Sequence, residues 1–70
     1  MDDLSNLVKA HRRAAGLSQA ALAEAAGVSR QTIANIERGS YAPSVYLALR
    51  IARTLHTPVD SLFPLEGDNP

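Results

Sequence analysis

Residues 27–39, GVSRQTIANIERG, place two amides and a guanidinium at helical spacing near the middle of the chain. On a helix that turns about 100° per residue, Gln31, Asn35 and Arg38 share one side. Ile33 lies opposite them. Amide and guanidinium groups can form paired hydrogen bonds with the edges of adenine and guanine. Any solvated surface helix is also polar on its outer side, so the chemistry alone permits base recognition without establishing it.

The residues around this segment have the types that a sharp turn between two crossing helices requires. Counting from Gln19, a small residue follows at Ala23 and a glycine at Gly27. Branched apolar residues then follow at Ile33 and Ile36. A small residue lets two helices approach, glycine adopts the positive φ of a tight turn, and branched side chains lock the second helix. Because five positions agree, the spacing predicts a helix-turn-helix.

A first helix is predicted ahead of this unit. Asp2 or Asp3 can cap it, and Gly16 can stop it. Apolar or boundary side chains recur on one face at helical spacing. They are Leu4, Leu7, Val8 and His11. The second and third helices are each bracketed by a serine and a glycine: Ser18 with Gly27, and Ser29 with Gly39.

Two further helices complete the predicted architecture. Ser44 can cap the fourth, whose apolar stripe is Leu47, Ala48, Ile51, Ala52 and Leu55. Thr57 can cap a short fifth helix with Pro58 at its first position, and Pro64 can end it. Its inward residues are expected to be Val59, Leu62 and Phe63. No segment alternates as a strand would, so the fold class is all-α: a compact five-helix bundle.

Length and composition limit the chain further. Seventy residues allow one domain with a modest core, which we expect at about 4–63, followed by a short acidic tail at 64–70. Twelve alanines favour closely approaching helices. The absence of cysteine excludes disulfides and cysteine-ligated metal sites. No signal peptide and no apolar run long enough to span a membrane is present, so we expect a cytoplasmic protein.

The charges are separated along the sequence although the net charge is zero. All seven cations lie between Lys9 and Arg53, and only Glu24 and Glu37 accompany them, which leaves a net charge of +5 on that segment. The other five acidic residues lie towards the two ends. A neutral protein can therefore still present a positive face to a polyanion.

The segment LSQAALAEAAGVSRQTIANIERG resembles the signature of the phage repressor and Cro family, also called the XRE family. YAPS, LALRIARTL and PVDSLF are similar to the parts of that family around its fourth and fifth helices. The resemblance covers about residues 4–63 and looks closest to small stand-alone bacterial or phage regulators. It implies a lambda-repressor-like domain whose third helix enters the major groove of double-stranded DNA.

The resemblance also implies roles for individual residues. Arg30, Gln31 and Thr32 are expected to contact bases. Asn35 could meet a base, a phosphate or only water, and Arg38 a phosphate or solvent. The full set of candidate DNA-binding residues is Gln19, Ser29, Arg30, Gln31, Thr32, Asn35, Arg38, Ser40, Tyr41 and Ser44.

Within that set, Gln19 is expected to hold a phosphate and to brace the third helix. Ser40, Tyr41 and the amides near Ser44 match the loop that follows the DNA backbone. Tyr41 stands where many relatives have lysine or another polar residue, so its contact is either a phenol hydrogen bond or none.

Two further sets follow. Arg12 and Glu37 are expected to form a structural ion pair, and Val45, Tyr46, Leu49 and Leu65 are candidates for a dimer surface unless helix five or the tail covers them.

The predicted function is sequence-specific DNA binding by a transcriptional regulator, a repressor acting as a homodimer on an inverted-repeat operator. The alternative is an antitoxin-like or anti-regulatory protein-interaction module in which DNA binding is secondary. No GxSxG, HExxH or P-loop signature is present, and neither His11 nor His56 has a metal-ligand partner at useful spacing. We therefore expect no enzyme activity, no metal site and no cofactor.

Overall fold

A computed structural model describes residues 5–65, which form five helices and contain no strand. The helices are α1 (Val8–Ala14), α2 (Gln19–Ala26), α3 (Arg30–Arg38), α4 (Val45–Leu55) and α5 (Val59–Leu62). The predicted all-α, five-helix architecture is therefore confirmed. The tail prediction falls mainly on residues 66–70, which lie outside the described residues.

Serine caps begin the three central helices as predicted. Ser18, Ser29 and Ser44 each accept a hydrogen bond from the backbone N–H three residues further on, at 3.0, 3.1 and 3.1 Å. These bonds satisfy N–H groups that have no partner within the first turn of a helix. Gly27 and Gly39 end α2 and α3 in the left-handed conformation, with φ values of 76° and 80°. The bounds of α2 and α3 therefore follow from local sequence.

The first helix begins later than the sequence predicted. It starts at Val8, since Asn6 and Leu7 are not helical. The predicted caps and the first residue of the stripe lie outside the described residues: Asp2, Asp3 and Leu4. Asn6 Oδ1 accepts the Val8 N–H at 3.1 Å, and the Leu7 N–H donates to Leu62 O at 2.8 Å. The backbone before α1 therefore binds α5, and Leu7, a member of the predicted apolar face, lies before the helix and is 46% exposed.

The predicted cap of the fifth helix is also wrong. α5 begins at Val59 with Pro58 in the capping position, one residue later than expected. The Thr57 hydroxyl donates to Leu55 O at 2.9 Å instead of accepting from α5. Thr57 therefore satisfies a carbonyl at the end of α4, where such groups lack helical partners.

The core contains apolar side chains from all five helices. Its buried members are Val8, Leu22, Ala23, Ala26, Ile33, Ile36, Leu47, Ile51, Ala52, Leu55 and Leu62. α2 packs against both α3 and α4, while α1 contacts α3 and α5 contacts α4. The alanines of α2 leave room for close approach, and the branched residues Ile33 and Ile36 are fully buried. The rotation of α3 about its axis is therefore fixed from the inside.

His56 ends α4 in a conformation that glycine adopts more easily. Its φ is 53°, and within residues 5–65 it is the one non-glycine residue with positive φ. The Cβ atom of an L-residue is crowded in this region, which costs roughly 1 to 2 kcal/mol. A glycine variant removes this cost, but part of the gain in stability is offset because glycine loses more backbone entropy on folding.

We expect His56→Gly to raise the free energy of unfolding by about 0.5 to 1 kcal/mol, measured by urea denaturation. Arg53→Gly, an exposed substitution inside the same helix, should lower it by about 1 kcal/mol. Equal losses in both variants would contradict a strained end of α4.

Candidate nucleic-acid interface

The outer side of α3 brings together five of the side chains that are predicted to contact DNA. Arg30, Gln31 and Arg38 are exposed, and Thr32 and Asn35 are half-buried. These five residues lie on a helix whose inner residues are completely buried. The face is rich in hydrogen-bond donors, because α3 presents two guanidinium groups and two amides on this surface. It can therefore bind acceptor groups such as phosphates and the N7 and O6 atoms of guanine.

The N-terminus of α3 is organised by its own side chains. Ser29 Oγ accepts the Thr32 N–H at 3.1 Å, and the two hydroxyl oxygens lie 2.9 Å apart in a hydrogen bond. Both hydroxyls therefore hold the helix start in shape. Any contact that Ser29 or Thr32 makes with DNA would use the remaining capacity of these hydroxyls.

Three side chains on the exposed face of α3 are linked to one another. Gln31 Nε2 donates to Asn35 Oδ1 at 3.2 Å, and Arg38 Nη2 donates to the same oxygen. The backbone carbonyl of Asn35 accepts the N–H of Ser40 at 3.0 Å and its hydroxyl at 3.2 Å. Asn35 therefore lies at the centre of this face, recessed behind Gln31 and Arg38.

Beneath the face, the predicted ion pair between Arg12 and Glu37 is present and nearly buried. Arg12 Nε donates to Glu37 Oε2 at 2.6 Å and Nη2 to Oε1 at 3.2 Å, a bidentate arrangement. The side chains are 10% and 4% exposed. Arg12 Nη1 also donates to Leu17 O at 2.8 Å, which ties the loop before α2 to the same guanidinium.

Gln19 joins this ion pair to the exposed face. Its Nε2 donates to Glu37 Oε1 at 3.0 Å, and its Oε1 accepts from Arg30 Nη1 at 3.2 Å. The brace between α2 and α3 that the resemblance implied is therefore present. One N–H of the Gln19 amide has no bond within this group and could donate to a phosphate.

The Glu37 carboxylate is held in its charged form. Burial has the largest single effect on the pKa of Glu37 and raises it. The hydrogen bonds from Arg12 and Gln19 and the charges of Arg12 and Lys9 together lower the pKa by more than burial raises it. The pKa of Glu37 therefore lies below its ordinary value. The pKa of Arg12 is raised, chiefly by its hydrogen bond to Glu37. Both groups are charged at neutral pH, as a buried pair requires.

The loop after α3 carries the remaining candidates for backbone contact. Ser40 and Tyr41 are exposed, whereas the hydroxyl of Ser44 already accepts the Leu47 N–H. Ser44 therefore acts as a helix cap, and its DNA contact stays a prediction. Tyr41 is 46% exposed, so its phenol is accessible from solvent.

Two side chains that the sequence analysis did not single out fix the position of the helix-turn-helix. Asn6 Nδ2 donates to Ile36 O at 2.8 Å, and Arg50 Nε donates to Ala26 O at 3.0 Å. Each satisfies a carbonyl in the last turn of a helix, where helical partners are lacking. Each partner is at least 24 residues away in sequence, so no local pattern could have indicated either contact.

The candidate dimer residues are exposed on the described chain. Val45, Tyr46, Leu49 and Leu65 are between 48% and 76% exposed, so neither α5 nor the described part of the chain covers them. Tyr46 and Leu49 also line an open depression of about 400 Å³ together with Arg50 and Arg53. The described residues contain no cluster of three or more side chains suited to a metal ion. Among the same residues, no helix is long and apolar enough to cross a membrane.

The sequence profile of the helix-turn-helix family matches residues 8–62, which is most of the chain. The protein belongs to the helix-turn-helix family. It is 46% identical over 66 residues to an uncharacterized HTH-type transcriptional regulator of Methanothermobacter thermautotrophicus, a match that covers 93% of this chain and 96% of the relative. A Bacillus subtilis regulator of the same description is 44% identical over 66 residues, covering 94% of this chain and 100% of the relative.

Solved structures of the family have the same fold. The restriction-modification controller protein C.AhdI from Aeromonas hydrophila superposes with a TM-score of 0.75 at 34% identity, covering 80% of this chain and 85% of its own. The P22 c2 repressor, solved in complex with a synthetic operator, superposes with a TM-score of 0.78 at 30% identity. The match covers 81% of this chain and 86% of the repressor chain. The predicted resemblance to phage repressors of the helix-turn-helix family is therefore confirmed.

The ion pair yields a prediction for stability. Arg12→Met leaves the Glu37 carboxylate buried without its cation, and we expect a loss of about 3 to 5 kcal/mol in urea unfolding at pH 7. Replacing both partners by Arg12→Met with Glu37→Leu should recover most of it. Arg13→Met, on the exposed neighbour, should change stability by less than about 0.5 kcal/mol.

The pH dependence of the same pair has a definite sign. Because the pKa of Glu37 is lower in the folded protein than in the unfolded chain, the pair stabilises the fold above the ordinary carboxyl pKa. This contribution disappears as the pH falls through the folded pKa. The stability difference between wild type and Arg12→Met should therefore shrink in acid, and a difference independent of pH would contradict the assignment.

Proposed function

We propose that the protein is a sequence-specific, double-stranded-DNA-binding transcriptional regulator that acts in the cytoplasm as a homodimeric repressor. The observation that carries this proposal is the outer face of α3, on which Arg30, Gln31 and Asn35 point away from a fully buried isoleucine pair. Amides and guanidinium groups on a helix of this length fit the width of the major groove. The similarity to the operator-bound P22 c2 repressor supports the same function.

The division of labour follows from what each group can donate. Arg30 and Gln31 lie in the first turn of α3, where recognition helices usually contact base edges. Gln19, Tyr41 and the backbone near Ser44 flank that helix and are suited to phosphates. The starts of α2 and α4 add free N–H groups and the positive end of a helix dipole. Backbone contacts of this kind orient a protein on DNA, and the base contacts select the sequence.

Charge separation supports binding to a polyanion. The segment between Lys9 and Arg53 has a net charge of +5 although the chain as a whole is neutral. An excess of positive charge in this segment attracts DNA, while the acidic ends limit indiscriminate association. Binding should weaken steeply as salt rises, because each neutralised phosphate releases counterions.

A homodimer explains how so small a domain could find one operator. A single domain contacts only a few base pairs, whereas two domains related by a twofold axis read two half-sites about 34 Å apart or a multiple of that distance. Exposed apolar residues grouped on one surface are typical of a partner interface. On this chain the candidates are the exposed residues Val45, Tyr46, Leu49 and Leu65, of which Tyr46 and Leu49 line the same depression. Occlusion of a promoter by such a dimer would make the protein a repressor.

Selection from a pool of random DNA duplexes tests the proposal as a whole. We expect enrichment of an inverted repeat, and competitor DNA should not abolish binding to it. If no sequence is enriched, the proposed function fails, and a protein-interaction module becomes the better description.

Gln31→Ala should reduce affinity for the preferred duplex by roughly 1 to 3 kcal/mol and relax one base position. Tyr41→Phe keeps the aromatic ring and removes only the hydroxyl, so it should leave the base preference unchanged. Both are measured by titration of labelled duplexes carrying single base changes. The same base preference in wild type and Gln31→Ala would remove Gln31 from the base-reading set.

Leu49→Glu places a charge in the candidate dimer surface and should lower both the dimer fraction and the affinity for the inverted repeat. Analytical ultracentrifugation and duplex titration measure the two effects. Leu7→Glu provides a matched control, because Leu7 and Leu49 are 46% and 48% exposed and Leu7 lies outside the candidate surface. A dimer of unchanged stability in Leu49→Glu would show that this surface is not the interface.

A further inference from the structure

The bonds of Asn35 differ from those expected of a base-reading side chain. Its Oδ1 accepts from Gln31 Nε2 at 3.2 Å and from Arg38 Nη2. A carbonyl oxygen has two lone pairs, so both of its acceptor sites are occupied within the protein. Asn35 is also half-buried, whereas Gln31 and Arg38 are exposed. Its oxygen is therefore committed to its neighbours.

The chemistry of the three side chains gives this set of bonds a direction. A guanidinium only donates hydrogen bonds, so the Asn35 atom that faces Arg38 must be the oxygen. Because the same oxygen faces Gln31, the Gln31 amide must turn its nitrogen towards Asn35. Its own oxygen, Oε1, is then directed away from Asn35. Arg38 thus fixes the orientation of Asn35, and Asn35 fixes that of Gln31.

The backbone holds these three side chains, which we call the Arg38–Asn35–Gln31 relay, at a fixed spacing. Gln31, Asn35 and Arg38 are spaced by four and three residues, so they are neighbours along one helix face. Ser40 binds the Asn35 carbonyl twice, with its N–H at 3.0 Å and its hydroxyl at 3.2 Å. The end of α3 therefore holds the backbone of Asn35 in place, while the Asn35 side chain orders its two neighbours on the exposed face.

We propose that Asn35 is a positioning residue that fixes the amide polarity of Gln31 and thereby makes Gln31 selective for adenine. Adenine offers an acceptor at N7 and a donor at N6, which the free Oε1 and the second N–H of Gln31 can match together. An amide free to turn over could also direct its NH2 group at O6 of guanine. With the polarity fixed and Oε1 directed at the 6-position of the purine, adenine N6 donates to it, whereas guanine O6 repels it. This inference rests on the proposed function and deepens it.

Duplex selection with four proteins tests the relay: wild type, Gln31→Ala, Asn35→Ala and the double variant. We expect wild type to enrich adenine at one position, with Gln31→Ala and Asn35→Ala each reducing that preference by about tenfold at the same position. Asn35→Ala should change nothing further in the Gln31→Ala background. If Asn35→Ala relaxes a different base, or still acts when Gln31 is absent, Asn35 reads DNA directly and the proposal is overturned.

Substitutions at Arg38 separate positioning from a general loss of charge. Arg38→Lys keeps a group that only donates and should retain the adenine preference. Arg38→Gln supplies an amide that can face Asn35 with either atom, so it should relax the same base as Asn35→Ala. Loss of the preference in Arg38→Lys together with its retention in Arg38→Gln would overturn the relay.

A readout without DNA distinguishes failure of the relay from failure of DNA binding. In nuclear magnetic resonance spectra of the free protein, the side-chain amide protons of Gln31 should shift towards free-amide values in Asn35→Ala and remain in place in Arg38→Lys. Unchanged Gln31 signals in Asn35→Ala would overturn the relay even if wild type selects a sequence. Failure of wild type to enrich any duplex, with the expected amide shifts, would reject the proposed function and the adenine preference while the contact itself stands.

Discussion

The buried carboxylate of Glu37 is the interaction on which the position of α3 depends. Two bonds from Arg12 and one from Gln19 converge on it, and Arg12 also binds the backbone at Leu17. A buried charge is costly unless it is paired and hydrogen-bonded, so α3 cannot rotate or slide without stranding it. Gln19 extends this constraint to Arg30 at the surface. One buried anion therefore relates α1, α2 and α3 to each other and to the exposed face.

Apolar packing and polar contacts make different contributions to this arrangement. Burial of Ile33 and Ile36 determines which side of α3 faces the core, but the hydrophobic effect has no direction and tolerates small shifts. Hydrogen bonds weaken steeply outside a narrow range of distance and angle. The bonds from Asn6 to Ile36 O and from Arg50 to Ala26 O therefore hold the ends of the two helices in place. The position of α3 therefore depends on these few polar bonds as well as on apolar packing.

The parts of the fold that could be predicted from sequence are those that local chemistry determines. Each serine cap binds an N–H three residues away, and each terminal glycine adopts positive φ on its own, so α2 and α3 have the expected bounds. The start of α1 could not be predicted, because it depends on the bond between Leu7 and Leu62 at opposite ends of the chain. Thr57 is a residue type that commonly caps helices, but the Leu55 carbonyl, which lacks a helical partner, accepts its hydroxyl instead. Tertiary contacts therefore override local preference at the two ends of the bundle.

The candidate site divides in the same way. Helical spacing alone places Gln31, Asn35 and Arg38 on one face, but it does not tell which of them donates to which. That information depends on rotamers and on the donor-only chemistry of Arg38, which become decisive once the side chains are in contact. The free protein already holds Arg30 against Gln19 and Gln31 against Asn35. Ordering these side chains before binding reduces the entropy that would be lost in a complex, and the Gln31–Asn35 bond leaves Oε1 and one N–H of Gln31 available to a partner. The exposed face of α3 is therefore ordered and still accessible, because the buried bonds hold the helix while hydrogen-bonding groups at its surface remain available.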